Sequence, residues 1–380
     1  MTKPTNTAAA KQQRNQQRNQ QQLAPSTALF AQDSLSTETT TMSLHDYLER
    51  HSDSGNLDEG LNEILVALAA SCAMVSQKLQ THTLDHSTKA TNKINVQGEQ
   101  QKGMDVVAND IFIEALTSVS SVAALASEEE ESVIYGPAQH QNDSKSFRYE
   151  IAFDPLDGSG NLNSNLPTGS IFGIAPINDN NYFSRPGSEL TVAGYALYSA
   201  STELVLAFGN GNGNPIVVGF TLIQTPNDPN PSHKFVLSRP NIACPPQGPY
   251  YSLNEAREPD WPDGLKRWIH DSKRGNTTTK TIYSSRYICS LCADFHRTLL
   301  EGGWAGNPRP HLRLLYEAAP LAFVAACANG KGSDGIRNLL ETVPQTLHDR
   351  VCVFLGSSED IDDLESYGDV QQVEFKRYDV

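Results

Sequence analysis

The sequence predicts a mixed α/β protein with two domains. Segments with apolar residues at every third or fourth position indicate amphipathic helices, and short apolar or alternating segments bounded by Gly, Pro and Asn indicate strands. The 380 residues are enough to bury a large core, and this length favours two domains over one.

The charge balance limits the classes of partner. The formal net charge is -15, so general binding to nucleic acid or to an anionic membrane is disfavoured, and an anionic substrate needs a locally basic pocket. No apolar run of about 18 residues is present to span a bilayer, and no N-terminal apolar segment resembles a secretory signal. Six cysteines spread over so long a chain are typical of an intracellular protein, so we expect a cytoplasmic location.

The first 41 residues differ in composition from the rest of the chain. They are rich in Gln, Asn, Ser and Thr and contain no acidic residue before Asp33. This composition predicts a disordered tail over residues 1–41. A basic leader that carries many hydroxyl groups is also a feature of organelle transit peptides, so import into an organelle stays an alternative.

Two helical patterns joined by a polar loop follow the tail. Apolar positions recur at helical spacing over residues 57–79 and again over about residues 104–117. The loop between them carries Glu99, and Asp105 lies at the start of the second helix. The loop therefore places two acidic side chains near one helix terminus.

Two predicted strands end in carboxylates. The apolar segment at residues 123–126 is followed by four glutamates at residues 128–131. Apolar and more polar positions alternate over residues 148–153, as in a half-buried strand, and Asp154 and Asp157 follow directly. An acidic run by itself is usually a solvated face, but the repeated arrangement favours a shared site.

The stretch from Asp154 to Ser159 suits a metal ion and a phosphate group. Pro155 fixes one φ angle and Gly158 permits a positive φ, so we expect a sharp turn that aims both carboxylates and the carbonyl between them at one point. Oxygen ligands of this kind suit a hard cation such as Mg²⁺, and the amides of Gly158 and Ser159 are placed to bind a phosphate oxygen.

A Pro- and Gly-rich segment at about residues 239–249 is the predicted domain boundary. We therefore expect domains over residues 42–243 and 244–380. Further strands are predicted at residues 171–174, 192–198, 204–208, 216–223, 235–237, 312–316 and 351–355. Further helices are predicted at residues 288–299, at 321–328 and from about 359 onward. Glu317 lies directly after the strand predicted at residues 312–316.

In this order, the motifs resemble the class I fructose-1,6-bisphosphatases, which belong to the lithium-sensitive, Mg²⁺-dependent sugar phosphatase superfamily. The resemblance covers about residues 43–367. The motif D-P-L-D-G-S alone is typical of the whole superfamily, whereas the ordered set is specific to this family. The matching segments are residues 95–110, 127–129, 153–174, 192–206, 251–255, 285–303, 312–317 and 343–356.

The resemblance implies a metal centre that holds two or three Mg²⁺ ions. The metal ligands implied are Glu128, Glu129, Asp154, the carbonyl of Leu156, Asp157 and Glu317. The catalytic residues implied are Glu99 and Asp105, which are associated with water activation, and Glu129. Clustered carboxylates repel one another strongly at low dielectric, and divalent cations would offset that repulsion.

The resemblance also implies that the substrate is a sugar bisphosphate held at both ends. Contacts with the substrate are implied at Asp157, Gly158, Ser159, Asn254, Arg257, Arg286, Tyr287 and His311. Arg286 is expected to reach across a subunit interface, because these enzymes are usually tetramers. Three positions depart from the family pattern: Arg257 and Asn307 replace tyrosines, and His311 replaces a lysine. Our hypothesis is that Arg257 restores the positive charge lost at His311.

The activity implied is hydrolysis of the 1-phosphate of fructose 1,6-bisphosphate by a homotetramer. The fold implied is a layered sandwich of two α+β domains, with the active site at their junction. Sedoheptulose 1,7-bisphosphate is an alternative substrate. The alternative functions are a related phosphatase that acts on inositol phosphates or phosphonucleotides, and a non-catalytic regulatory paralogue.

Overall fold

Two β-sheets, each covered by helices, form the framework of the chain. The computed structural model describes residues 42–53, 57–84, 90–94, 100–140, 148–177, 181–209, 214–223 and 234–372. The predicted tail at residues 1–41 and the predicted catalytic residue Glu99 lie outside the described residues.

The first sheet contains eight strands among the described residues. They are β3 (Val122–Ser127), β4 (Ile134–Tyr135), β5 (Tyr149–Asp157), β6 (Thr168–Pro176), β7 (Val192–Tyr198), β8 (Thr202–Phe208), β9 (Ile216–Ile223) and β10 (Lys234–Arg239). Their spatial order is β10-β9-β8-β7-β6-β5-β3-β4. The pairs are antiparallel, except that β3 and β5 run parallel. Two further strands, β1 (Ala90–Ile94) and β2 (Gln100–Lys102), pair separately.

The second sheet contains five strands among the described residues. They are β11 (Tyr250–Ser252), β12 (Ser284–Ser285), β13 (Trp304–Arg313), β14 (Gly330–Ser333) and β15 (Arg350–Ser357). Their spatial order is β12-β11-β13-β15-β14. The long strand β13 is antiparallel to β15, with a shift of register between Asn307 and Leu312.

The helices cover and separate the two sheets. They are α1 (Leu44–Asp53), α2 (Glu59–Thr81), α3 (Gly103–Thr117), α4 (Asp263–Ser272), α5 (Leu291–Glu301), α6 (Ala319–Cys327) and α7 (Ser358–Ser366). Residues of α1, α2 and α3 share a buried apolar cluster with one face of the first sheet. Residues of α5 and α6 fill a cluster between the two sheets, and residues of α4 and α7 cover the outer face of the second sheet. The layers thus follow the order helix, sheet, helix, sheet, helix, and the predicted layered α/β class is confirmed.

The side-chain alternation of β5 directs its two faces to different layers. Tyr149, Ile151 and Phe153 belong to the cluster beneath α1, α2 and α3. Because successive residues of a strand point to opposite faces, Ala152 and Asp154 face the other side. Ala152 packs there in a cluster with Tyr316, which follows β13. One strand therefore anchors the first core and presents a carboxylate toward the second sheet.

Several predicted elements agree with the structure, and one does not. The strands predicted at residues 192–198 and 216–223 coincide with β7 and β9. The strand predicted at residues 312–316 is wrong, because β13 ends at Arg313 and Leu314–Ala318 forms a π-helical turn. The apolar residues of this turn are buried on several sides, and such a run does not distinguish a strand from a helix.

The division of the folded part into two domains stays a prediction. The first sheet ends at Arg239 and the second begins at Tyr250, on either side of the predicted boundary. The described residues nevertheless form one compact unit. The cluster between the sheets is shared by residues from both halves of the chain.

Helix α2 is the one described helix that is long and apolar enough to cross a bilayer, with a mean hydropathy of 1.3 over 18 residues. Of that window, 56% is buried inside the protein. Its buried residues pack in the cluster with the first sheet. Burial of this extent is typical of a core helix, and length and composition alone are weak evidence for a membrane span.

Two buried tryptophans under the second sheet allow a matched test of one hydrogen bond. Trp268 and Trp304 are both 0% exposed, with ring centroids 5.2 Å apart. Trp268 Nε1 donates to buried Asp363 at 2.7 Å, whereas Trp304 Nε1 has no hydrogen-bond partner among the described residues.

We expect Trp268→Phe to lower the free energy of unfolding by about 2 kcal/mol more than Trp304→Phe, because only the first change removes a donor from a buried carboxylate. Urea unfolding followed by circular dichroism measures the difference. Equal losses in the two variants would contradict this assignment.

Candidate active site

Asp154 is a buried carboxylate at an irregularity of β5. The residue is only 2% exposed. The pairing of β5 with β6 shifts register between Asp154 and Asp157. Within that irregular segment the Leu156 amide donates to Asp154 Oδ1 at 2.9 Å. Such bulges redirect side chains and are frequent beside active sites.

The expected turn follows at Gly158. Its φ is 71°, and a Cβ atom there would lie 2.7 Å from Ser290 Cβ. Both the left-handed backbone and this close approach require glycine. Ser159 then begins a short 3₁₀ helix, Ser159–Ser164.

Asp157 is held by the N-terminus of α5. Its Oδ2 accepts from Ser290 Oγ at 2.6 Å and from the Cys292 amide at 2.9 Å, and its Oδ1 accepts from the Leu291 amide at 3.3 Å. The positive end of a helix stabilises a carboxylate. Burial nevertheless raises the pKa of Asp157, and these three hydrogen bonds oppose that rise.

Glu317 reaches the same place from the second sheet. It lies in the π-helical turn after β13, a rare conformation that often occurs at functional sites. Its Oε2 accepts from the Arg313 amide at 2.6 Å and lies 3.9 Å from Arg313 Nη1. Burial, and then the neighbouring Glu128, raise the pKa of Glu317 to about 8.

Together these residues form a cluster of three buried carboxylates. One oxygen from each of Asp154, Asp157 and Glu317 lies within 4.8 Å of the other two. Burial raises the pKa of Asp154 well above its usual range, and the charges of Glu128, Asp157 and Glu317 raise it further. The cluster therefore favours either protons or a cation in its centre.

Among the described residues, Arg313 is the cation that contacts the residues of this cluster and its neighbour Glu128. Its side chain is 4% exposed, and its Nη2 lies 3.1 Å from Glu128 Oε1. Through its contact with Glu317 it joins carboxylates from both sheets. A buried ion pair of this kind leaves an uncompensated charge if one partner is removed.

The turn that carries Glu128 and Glu129 is fixed by α3. Ser127 Oγ donates to Asn109 Oδ1 at 2.7 Å, and Asn109 Nδ2 donates to Glu130 Oε1 at 2.7 Å. The Glu129 amide donates to Ser127 Oγ at 3.2 Å. These hydrogen bonds hold the turn after β3 at the side of the cluster.

Asp105 is buried in the first turn of α3, with 6% of its surface exposed. It lies four residues before Asn109, so the two side chains share one helix face. That face meets the turn of Glu128 and Glu129 through the contacts of Asn109. Asp105 therefore lies on the helix face that, through Asn109, contacts the turn after β3.

A second, separate cleft contains several of the predicted substrate-binding residues. Asn254, Arg257 and Tyr287 line it, together with Asn307 and Arg309. Arg286 and His311 are not among the described residues that line this cleft. The Arg286 guanidinium carbon instead lies 5.3 Å from the centre of the Tyr250 ring.

Sequence reasoning did not select Arg309, Arg313 or Ser290. Arg313 stands alone in the apolar segment at residues 312–316, and a single charge in a segment destined for burial is the signal that would have found it. Ser290 is the N-cap of α5, a role that its position before the helical pattern indicates.

Comparisons with known proteins agree with this arrangement. The family described as fructose-1-6-bisphosphatase, N-terminal domain, matches residues 41–224, and the corresponding C-terminal domain matches residues 244–369. The chloroplastic fructose-1,6-bisphosphatase of Brassica napus is 38% identical over 349 residues, which are 85% of this chain and 81% of that protein. The class 1 fructose-1,6-bisphosphatase of Sorangium cellulosum is 37% identical over 80% of this chain and 86% of its own length.

Solved structures show the same likeness. The holo form of Leishmania major fructose-1,6-bisphosphatase superposes with a TM-score of 0.75 at 32% identity, over 86% of this chain and 99% of its own. Its T-state structure gives a TM-score of 0.71 at 33% identity, over 86% of this chain and 98% of its own. Both family domains are therefore present in order, and this chain belongs to the fructose-1,6-bisphosphatase family.

Proposed function

We propose that this protein is a Mg²⁺-dependent phosphatase that hydrolyses the 1-phosphate of fructose 1,6-bisphosphate to give fructose 6-phosphate and phosphate. The observation that supports this most directly is the convergence of Asp154, Asp157 and Glu317, whose oxygens lie within 4.8 Å of one another. Relatives named fructose-1,6-bisphosphatase match most of the chain.

The donor set of the cluster fits a hard divalent cation. It offers carboxylate oxygens only, at a spacing that a shared cation can bridge, and the raised pKa values of Asp154 and Glu317 reflect repulsion that a cation would relieve. We assign the metal ligands to Glu128, Glu129, Asp154, the Leu156 carbonyl, Asp157 and Glu317. Mg²⁺ at such a site supplies positive charge that polarises a phosphoryl group and stabilises a leaving oxygen.

Asp105 is the residue we assign to proton removal from the attacking water. It is buried on the helix face that also carries Asn109, whose side chain contacts the turn after β3. A carboxylate in that position accepts the water proton and orients the oxygen toward phosphorus. Glu99, its predicted partner, lies outside the described residues. The catalytic roles of Glu99 and Glu129 stay predictions.

The reacting phosphate is held between two sets of donors in this proposal. The amides of Gly158 and Ser159 lie at the start of a short 3₁₀ helix directly after Asp157. Arg313 presents a guanidinium group beside Glu128 and Glu317. Guanidinium and amide donors both suit phosphate oxygens, and they become stronger where water is excluded.

The other end of the substrate is assigned to the cleft of Asn254, Arg257 and Tyr287. Arg286 and His311 stay predicted substrate residues that this cleft does not include. We also keep the homotetramer as a prediction. Several relatives carry the word chloroplastic in their names, so a plastid is the alternative to the cytoplasmic location predicted for this chain.

A phosphate-release assay tests the function directly. With Mg²⁺, we expect release from fructose 1,6-bisphosphate to exceed release from sedoheptulose 1,7-bisphosphate, inositol 1-phosphate and a 3′-phosphonucleotide. Omission of Mg²⁺ should remove the activity, because the repulsion between the phosphoryl group and the buried carboxylates would then be uncompensated. A preference for inositol phosphate would indicate the related phosphatase, and no release from any compound would contradict an enzymatic role.

Asp105→Asn should reduce kcat by about a hundredfold to ten-thousandfold, because the amide no longer accepts the water proton. Asp110→Asn is the matched control, since Asp110 is an exposed carboxylate on the same helix. Steady-state kinetics at saturating Mg²⁺ separates the effect on kcat from an effect on metal binding. An unchanged kcat in the Asp105 variant would remove this residue from the mechanism.

Mg²⁺ binding should strengthen as the pH rises. The pKa values of Asp154 and Glu317 are raised, that of Glu317 to about 8, so protons compete with the cation below that value. For each proton displaced, the apparent Kd should fall by about tenfold per pH unit between pH 6 and 8. Calorimetric titrations in two buffers of different ionisation enthalpy count the protons released, and a pH-independent Kd without proton release would contradict the assignment.

A further inference from the structure

The cleft that contains Asn254, Arg257 and Tyr287 also contains a second arginine, which the sequence motifs did not identify. Arg309 lines this cleft beside Asn307, on strand β13. The cleft opens to solvent. Its two arginines come from different parts of the chain, since Arg257 lies in the short 3₁₀ helix Glu255–Asp260.

The two guanidinium groups converge within this cleft. Both arginines are half-buried. Burial lowers the pKa of Arg309, and the nearby charge of Arg257 lowers it further, while Tyr287 and Asp260 act in the opposite direction. Two like charges that lose water and approach each other repel, and a dianion between them would offset that repulsion.

The surroundings of the arginine pair supply neutral donors and one carboxylate. Tyr287 lines the cleft with Arg309, and its hydroxyl donates to Cys289 Sγ at 3.3 Å. Asn254 caps the 3₁₀ helix that carries Arg257, and its Oδ1 accepts from the Ala256 amide at 3.2 Å. Asp260 is the acidic group that acts on Arg309. The described residues that line the cleft include two arginines and no acidic residue, so the charge in the cleft favours an anion.

Strand β13 connects this cleft to the carboxylate cluster. Arg309 lies in the stretch of β13 where the pairing with β15 shifts register, and Arg313, four positions later, pairs with Arg350. Arg313 contacts Glu128 and Glu317 at the cluster, and Arg309 lines the cleft. A ligand that carries phosphate groups at both ends can engage both arginines, whereas a monophosphate engages only one.

We propose that Arg309, together with Arg257, binds the second phosphate of the substrate, so that one chain supplies two guanidinium groups at the distal end. Guanidinium groups bind phosphate oxygens through paired hydrogen bonds, which a lysine or histidine cannot reproduce. The inference rests on the proposed function for the identity of the ligand as a sugar bisphosphate. It modifies the hypothesis that Arg257 alone compensates for His311, since His311 does not line the cleft.

Direct binding of fructose 6-phosphate tests the arginine pair without the reaction. We expect Arg309→Ala to raise the Kd by about tenfold to a hundredfold, since a charge-assisted contact is lost. The Kd of Arg309→Lys should lie between those of the wild-type protein and Arg309→Ala, because lysine keeps the charge and loses the paired hydrogen bonds. Arg274→Ala is the matched control, since the Arg274 side chain is exposed and donates to the His270 carbonyl at 2.9 Å.

Kinetics with two substrates then separates the inference from the proposed function. For Arg309→Ala, the ratio of kcat/KM for fructose 1,6-bisphosphate to that for fructose 1-phosphate should fall by about tenfold or more. A similar Kd in the Arg309→Ala and Arg274→Ala variants, at equal thermal midpoints, would overturn the inference. If the wild-type protein binds fructose 6-phosphate through Arg309 but releases no phosphate, the inference stands and the proposed hydrolysis fails.

Discussion

The repulsion among buried carboxylates is the constraint on which the rest of this structure depends. Asp154, Asp157 and Glu317 lie too close together to be ionised without compensation, and burial raises the pKa of each. Such a cluster costs folding free energy, so its surroundings must hold it in place. The N-terminus of α5 stabilises Asp157, and Arg313 stabilises Glu128 and Glu317. The repulsion that these groups leave uncompensated at Asp154 favours the binding of a cation.

The layered fold supplies these compensating groups from opposite sides. Strand β5 carries two of the carboxylates on the first sheet, while β13 and its π-helical turn bring Glu317 and Arg313 from the second. Helix α5 fills the layer between the sheets and points its N-terminus at Asp157. The cluster can therefore form only when both sheets and the middle layer have packed, which links the chemistry of the site to the completed core.

The sequence predicted the parts of the site that local pattern determines. Alternation before Asp154 identified β5, and the Gly158 turn followed from backbone chemistry, because both depend on neighbouring residues only. The π-helical turn at Glu317 and the roles of Arg309 and Arg313 were missed, since they depend on which strands pair and on a shift of register within β13. Arg286 and His311 were expected at the distal end by resemblance alone, and their roles stay predictions, since Arg286 is expected to act across a subunit interface and the cleft of this chain includes neither residue.

Charge distribution explains how a protein with a net charge of -15 can receive an anionic substrate. General attraction is absent, so affinity has to come from short-range groups in places from which water is partly excluded. Strand β13 places one arginine at each of two such places, with Arg313 beside the carboxylates and Arg309 in the distal cleft. Arg313 pairs with Arg350 of β15, whereas Arg309 lies in the stretch between Asn307 and Leu312 where that pairing shifts register. A substrate with two phosphates can engage both arginines, and the negative net charge disfavours anions that engage only one of them.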